Sequence, residues 1–157
     1  MMKKGIIIIF CLLNVQAFAQ WKSYYPEGKS KNNKEVKQKI DKDNFKFNTH
    51  LFNALKSKSL ENYEQALEQF QKCITMDNKQ AVPFYESALI NKGLGNLNLA
   101  AEQAKIATEL EKNNRWYQLN YAEVLFANQD FKSASVEYKK LLLKEPGNKE
   151  LYFLLAD

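Results

Sequence analysis

Few residues of this sequence are of the types that catalyse reactions or bind metals. His50 is the single histidine among 157 residues, and the two cysteines, Cys11 and Cys73, lie far from it in the chain. Nucleophilic catalysis and metal binding need several such groups close together, as in a Cys-His pair or a cluster of ligands at short spacing. The sequence therefore predicts no enzyme, no metal and no cofactor, and we expect His50 and Cys73 to pack inside helical structure.

Residues 93–96 (GLGN) superficially suggest a phosphate-binding loop. Such a loop also needs a lysine followed by Ser or Thr to contact phosphate and its metal ion, and neither follows here. The segment instead joins two predicted helices, as residues 145–148 (EPGN) do further along the chain. We therefore interpret both segments as turns.

The first nineteen residues have the features of a cleaved export signal. Lys3 and Lys4 give a positive start, residues 5–13 (GIIIIFCLL) form a short apolar run, and residues 17–19 (AFA) match the small-x-small pattern of a signal peptidase site. Cleavage there would leave Gln20 first. This predicts export, with the periplasm as the destination and a secreted or envelope-associated protein as alternatives.

Two other interpretations of the amino terminus fit less well. A membrane anchor needs about 20 apolar residues, whereas this run breaks at Asn14. A lipid-modified Cys11 would need a leucine and small residues before it, where residues 8–10 (IIF) stand instead. The processed chain then keeps Cys73 alone, so we expect no intramolecular disulfide and a fold stabilised by packing.

The positive charge is concentrated before the predicted core. Of the net charge of +5, Lys3 and Lys4 supply two, and residues 20–46 contain eight lysines against four acids, so residues 47–157 are almost neutral. This distribution argues against nucleic acid as a partner. Residues 20–46 have weak periodicity, and we expect a flexible lead with at most one short helix near residues 33–40.

Residues 47–157 repeat with a fixed period. Two alanine columns recur at one constant interval, namely Ala54, Ala88, Ala122 and Ala156, and then Ala66, Ala100 and Ala134. A column of large apolar residues keeps the same spacing and follows predicted helix N-caps: Tyr63, Leu97 and Phe131 after Asn62, Asn96 and Asp130. A four-helix bundle would explain one such column, but three in one register favour a repeat architecture.

Alanine recurs because two antiparallel helices approach closely only where one of them presents a small side chain. Apolar residues at helical spacing between the columns predict amphipathic helices. Their expected bounds are 47–59, 63–76, 81–93, 97–110, 115–127 and 131–144, with a seventh helix from 149.

This register resembles the tetratricopeptide repeat, whose pattern of W-x2-L-G-x2-Y, then A-x3-F, then P has a period of about 34 residues. Ala66-x3-Phe70 and Ala134-x3-Tyr138 match the second-helix signature, and Pro146 takes the proline position. Other residues replace the leading tryptophan: His50, Phe84, Gln118 and Tyr152. The resemblance implies an all-α solenoid, a right-handed superhelix of antiparallel pairs, with repeats at 47–80, 81–114 and 115–148 and an incomplete fourth at 149–157.

By the same resemblance, the first helix of each pair lines a concave groove that binds a peptide or an amphipathic helix. The inward residues would be Leu51, Leu55, Lys58, Tyr85, Leu89, Lys92, Trp116, Leu119, Glu123 and Phe126. One subclass of the family grips the terminal carboxylate of chaperones with lysines and asparagines, where leucines and Tyr85 stand here. The groove therefore predicts an apolar protein or peptide partner and no small-molecule substrate, although some of these side chains would fill gaps between repeats.

A second hypothesis is a structural or sensory repeat region at the front of a larger envelope machine, such as a secretion or motility component or a sensor kinase. Its motive is the start of the fourth repeat, where Leu151, Phe153, Leu154 and Leu155 lack the helix that would cover them. Solenoids usually end in a polar cap. We therefore expect either that the sequence is part of a longer chain, or that self-association or a further subunit covers this end.

Overall fold

The computed structural model describes the backbone of residues 33–156 and the side chains of residues 42–155. The predicted export signal and residues 20–32 lie outside this range. Within it the chain forms seven helices and no strand: α1 (Asn33–Ser59), α2 (Tyr63–Met76), α3 (Ala81–Gly93), α4 (Leu97–Leu110), α5 (Arg115–Ala127), α6 (Phe131–Lys144) and α7 (Lys149–Ala156). The all-α prediction is confirmed, and the predicted bounds of α2 to α6 and the start of α7 coincide with the observed ones.

The start of α1 differs from the prediction. We expected a short helix near residues 33–40 and a separate helix from residue 47, whereas one helix runs from Asn33 to Ser59. Residues 41–46 contain neither glycine nor proline, so nothing in the chain stops the helix between the two predicted segments. Residues 41–156 belong to one compact unit, which is described from here on.

The alanine columns lie where paired helices meet. In each helix pair, an alanine of the first helix packs with an alanine of the second helix, and both side chains have almost no exposed surface. These alanines are Ala54 and Ala66, Ala88 and Ala100, and Ala122 and Ala134. Ile90 of α3 completes the cluster of the first pair, and Val124 of α5, one repeat later, completes that of the second. Successive pairs are therefore stacked through equivalent side chains, as a repeat requires.

The turns within the three pairs also repeat. Glu61, Gly95 and Gln129 have left-handed backbone, with φ of 61°, 79° and 62°. After each of them, the next amide donates to the carbonyl five residues earlier, at 2.9 Å in all three turns. This is the Schellman arrangement that ends helices, and glycine suits its left-handed position best. The repeat spacing thus fixes the turns as well as the contacts between helices.

The predicted N-caps share a position but not a hydrogen bond. Asn62, Asn96 and Asp130 each precede a second helix, as expected. Only the Asp130 side chain caps its helix, by accepting from the Ser133 amide at 3.1 Å. The Asn96 side-chain amide instead donates to Asn91 Oδ1 at 3.1 Å.

No described helix is long and apolar enough to cross a membrane.

Candidate functional site

The ten predicted groove residues lie on α1, α3 and α5, the first helices of the three pairs. Most of them form columns that keep the repeat interval: Leu51, Tyr85 and Leu119; Leu55, Leu89 and Glu123; Lys58, Lys92 and Phe126. Three contacts between neighbouring first helices, described below, bring these columns onto one surface, which we call the inner face.

Two ion pairs join the first helices across the inner face. Lys58 Nζ lies 2.5 Å from Glu86 Oε2, and Lys92 Nζ lies 2.7 Å from Glu123 Oε2. All four side chains are partly buried. Each lysine is therefore neutralised by a carboxylate of the next pair, and neither is a free cation that would attract an acidic ligand.

Two tyrosines form the third contact between first helices. The rings of Tyr85 and Tyr117 are 4.7 Å apart between centroids, at a tilt of 37°. Tyr85 is half-buried and packs with Phe84 and Tyr117 in a cluster that joins the second and third pairs. Burial raises the pKa of both tyrosines, and the nearby Glu86 carboxylate raises them further. Both hydroxyls therefore stay neutral near pH 7, and Tyr85 stabilises the stack as well as lining the face.

Exposed apolar side chains of the predicted groove lie on α1 and α5. Trp116 has 62% of its surface exposed, and Leu55 and Phe126 are also exposed. The Arg115 guanidinium lies 5.0 Å from the centre of the Trp116 ring, in a cation–π contact. Large exposed aromatic groups of this kind often anchor protein ligands. These three residues are thus the predicted groove residues that remain accessible.

The remaining leucines are partly buried. Leu51 packs against the cluster of the first pair and Leu119 against that of the third. Leu89 lines a cavity of about 180 Å³ together with Lys58 and Leu94. Leu51 and Leu119 therefore lie between repeats, and Leu89 lies at the edge of a small cleft.

One inner-face column was missed by the sequence reasoning. Phe52, Glu86 and Asn120 also keep the repeat interval and occupy equivalent positions on α1, α3 and α5. Phe52 is 67% exposed, Glu86 pairs with Lys58, and Asn120 is 3% exposed with no hydrogen-bond partner among the described residues. The fixed spacing would have revealed this column, but the change from aromatic to acidic to amide hid it.

The two residues that first suggested chemistry have structural surroundings. His50 Nδ1 lies 2.8 Å from Gln69 Oε1 on the neighbouring helix. Cys73 is buried, as expected, with Sγ 3.8 Å from the Phe47 carbonyl oxygen, and burial raises the pKa of its thiol. A protonated, buried thiol is a poor nucleophile. Among the described residues no group of three acidic, histidine or cysteine side chains could hold a metal ion.

Comparison with known proteins identifies the architecture. No protein-family model matches the sequence, and no curated protein resembles it significantly. The structure is similar to the first tetratricopeptide domain of Spaghetti (RPAP3) bound to the HSP90 peptide SRMEEVD, with a TM-score of 0.64 and 21% identity over 71% of this chain and 88% of that one.

Two further solved structures show the same likeness. The second such domain of human RPAP3, in complex with the HSP70 peptide SGPTIEEVD, has a TM-score of 0.65 and 18% identity over 73% of this chain and 95% of that one. An O-GlcNAc transferase of Thermobaculum terrenum matches at a TM-score of 0.62 and 17% identity, over 72% of this chain but 22% of that one. The repeat register, the alanine contacts and these likenesses together show that the chain has the tetratricopeptide-repeat fold.

Proposed function

We propose that this chain is a non-catalytic protein-interaction module that binds a peptide or an amphipathic helix on its inner face. The observation that carries the proposal is the accessibility of Leu55, Trp116 and Phe126 on the first helices. The lysines of the same surface are used internally. A surface with exposed aromatic anchors and neutralised charges suits an apolar ligand.

Two structural neighbours support the general mode of binding and contrast with its chemistry. Their peptides, SRMEEVD and SGPTIEEVD, are acidic and end in aspartate. On the inner face of this chain, by contrast, Lys58 and Lys92 are each paired with a carboxylate. The column of Leu55, Leu89 and Glu123 on the same face contains two apolar side chains and no cation. We therefore expect its ligand to present apolar side chains at helical or alternating spacing instead of a terminal carboxylate.

The binding proposal is tested with peptides selected from a random library displayed on phage. Those recovered should be rich in aromatic and aliphatic residues, and the double variant Trp116→Ala, Phe126→Ala should bind them at least about tenfold more weakly, because anchor truncations cost more than about 1 kcal/mol each. The matched control is Leu99→Ala, Val136→Ala, which removes exposed apolar groups from second helices. Equal loss in both double variants would refute an inner-face site.

We also propose that the module acts in the bacterial envelope, most simply in the periplasm. Support comes from the sequence of residues 1–19, with its lysines, its apolar run and the AFA site. Expression in a bacterial host followed by fractionation should recover a periplasmic protein whose first residue is Gln20. A protein that keeps Met1 and stays in the cytoplasm would contradict this proposal without affecting the binding proposal.

A second candidate function is a structural or sensory repeat region within an envelope assembly. It is favoured by the surroundings of α7. There, Leu151 is buried in the cluster of the third helix pair, while Tyr152 and Phe153 are exposed. Aromatic side chains are enriched at protein interfaces. Light scattering should then show concentration-dependent association that Phe153→Ser abolishes; a monomer at all concentrations would exclude self-association through α7.

A further inference from the structure

A cavity of about 610 Å³ lies between the second helices α4 and α6. It is separate from the inner face, because its walls come mainly from residues 105–112 and 137–144, and α5 contributes Gln118 and Tyr121. Its size is in the range of ordinary ligand sites. We call it the lysine pocket after the four lysines that line it: Lys105, Lys112, Lys140 and Lys144.

Two of these lysines are already neutralised within the pocket. Lys140 Nζ lies 2.7 Å from Glu137 Oε1, and Lys105 Nζ lies 3.9 Å from Glu109 Oε1. Both pairs lie on single helices with exposed lysines and contribute little to stability. The unpaired positive charge of the pocket therefore comes from the other two lysines, Lys112 and Lys144.

Lys112 and Lys144 make no ion pair with any of the described residues. Lys144 Nζ donates to the Lys112 backbone carbonyl at 3.3 Å and to Gln118 Oε1 at 3.1 Å, so its ammonium is held by two neutral oxygens. Lys112 and Lys144 thus contribute two positive charges to the pocket lining that no described carboxylate pairs with. An anion bound there would gain charge-assisted hydrogen bonds from these ammonium groups.

The pocket also offers apolar surface next to these charges. Leu143 at its rim is 84% exposed, and the half-buried ring of Tyr121 contributes to its wall. Such a combination suits a chain that alternates acidic and apolar side chains. An anionic membrane surface fits less well, because it would require a broad basic face, whereas Glu109 and Glu137 also line the pocket.

We propose that the lysine pocket binds an acidic segment of a partner protein, with a carboxylate between Lys112 and Lys144 and a neighbouring apolar side chain against Tyr121 and Leu143. The chain therefore has two sites of different chemistry. Its inner face binds apolar anchors, and the lysine pocket adds a contact that depends on negative charge.

The test uses a fluorescein-labelled peptide of alternating Glu and Leu, with a Gln-Leu peptide as its uncharged counterpart. Fluorescence anisotropy should show the Glu-Leu peptide binding at least about tenfold more tightly, with an affinity that falls as salt is raised. The double variant Lys112→Gln, Lys144→Gln should lose this advantage. The control, Lys79→Gln, Lys132→Gln, makes the same change in charge at exposed lysines outside the pocket and should stay within about twofold of wild type.

Lys144 also donates to Gln118, so the double variant could alter packing as well as charge. The single variant Lys112→Gln removes an ammonium that makes no hydrogen bond to a described residue, and it should still weaken Glu-Leu binding several-fold. Circular dichroism melting should remain as in wild type for this variant. Unchanged affinity for the Glu-Leu peptide would overturn the proposal.

The remaining outcomes are also decisive. Equal binding of the Gln-Leu peptide by wild type would show that charge is not recognised, and the proposal would fail. If phosphatidylglycerol vesicles bind in a Lys112-dependent way while the Glu-Leu peptide does not, the pocket is a lipid site and the protein-segment proposal is wrong. Retained Glu-Leu binding in the Trp116→Ala, Phe126→Ala variant supports a site separate from the inner face, and its loss there would contradict it.

Discussion

Lysines on the inner face and lysines in the lysine pocket have different surroundings in the structure. On the inner face, Lys58 and Lys92 each reach a carboxylate on the next first helix. In the pocket, the Lys144 ammonium donates to two neutral oxygens, and neither Lys112 nor Lys144 has a carboxylate partner among the described residues. The same residue type therefore joins repeats in one region and is available to a ligand in the other.

The largest expected effect comes from breaking the stacking that creates both regions. Ala100 is fully buried against Ala88 and Val124, so Ala100→Leu must push the two helices apart. We expect a loss of about 3 kcal/mol in the free energy of unfolding, measured by urea denaturation followed by circular dichroism. Ala127→Leu, at an exposed position, is the matched control; comparable losses in both would mean that the alanine contact is not specific.

Removing the inner-face carboxylates should make that face behave more like the pocket. Glu86→Gln and Glu123→Gln free Lys58 and Lys92 while keeping side-chain size. Each should cost about 1 kcal/mol of stability, and the double variant should gain affinity for the Glu-Leu peptide. The control Glu64→Gln changes an exposed glutamate outside the face. A double variant with wild-type affinity would contradict the view that internal pairing excludes acidic ligands here.

The turns allow a smaller test of the register between helices. Gln129 adopts φ of 62° where the equivalent residue of the second pair is Gly95. Gln129→Gly should relieve left-handed strain and stabilise by up to about 1 kcal/mol, whereas Gly95→Ala should destabilise by about 1 kcal/mol. No atom lies within 4 Å of a Cβ added at Gly95, so the cost there is conformational. Thermal melting of both variants measures these changes in stability. Melting-temperature shifts of the same sign would refute the view that the left-handed backbone determines the stability of the turns.

The smallest expected effect is a pH dependence at the exposed end of the inner face. Hydrogen bonds from Asn148 and Arg115 hold the pKa of Glu145 below its usual 4.5, and Arg115 lies against Trp116. A lowered pKa means that this stabilisation is complete above pH 4.5 and is lost as the pH falls through the folded-state value. In a Trp21→Phe background, Trp116 emission should change in that acid range.

Glu145→Gln serves as the control for this pH effect, since a glutamine cannot titrate. The acid-induced change in Trp116 emission should be absent or much reduced in this variant. If the acid-induced change persists unaltered in this variant, protonation of Glu145 is not its cause. The prediction that the ion pair between Glu145 and Arg115 controls the surroundings of Trp116 would then be wrong.

Much of the fold could be predicted from the sequence because its determinants are local and periodic. Alanine at two fixed positions and a turn at the same place in every repeat predict helix bounds without knowledge of what each helix contacts. The extension of α1 back to Asn33 was missed because residues 41–46, which are polar except for Phe45, show no buried pattern, although they contain no residue that ends a helix.

The sites were less predictable for a different reason. That Leu55, Trp116 and Phe126 are accessible while Leu51 and Leu119 pack between repeats depends on which surfaces the neighbouring helices cover. Whether these residues bind a ligand stays a prediction. The lysine pocket was absent from the sequence reasoning, since its walls come from α4, the turn after it, α5 and α6, which only folding brings together.

The sequence by itself determined the repeat, since the close approach of two helices depends on side-chain size at fixed positions and is written into each repeat unit. Only the tertiary structure decided which charges meet. Glu86 and Glu123 lie 28 and 31 residues from their lysines, and Lys144 lies 26 residues from Gln118. Flexible side chains find such partners only after the helices are stacked, because electrostatic pairing depends on distances of a few ångströms that no linear pattern encodes.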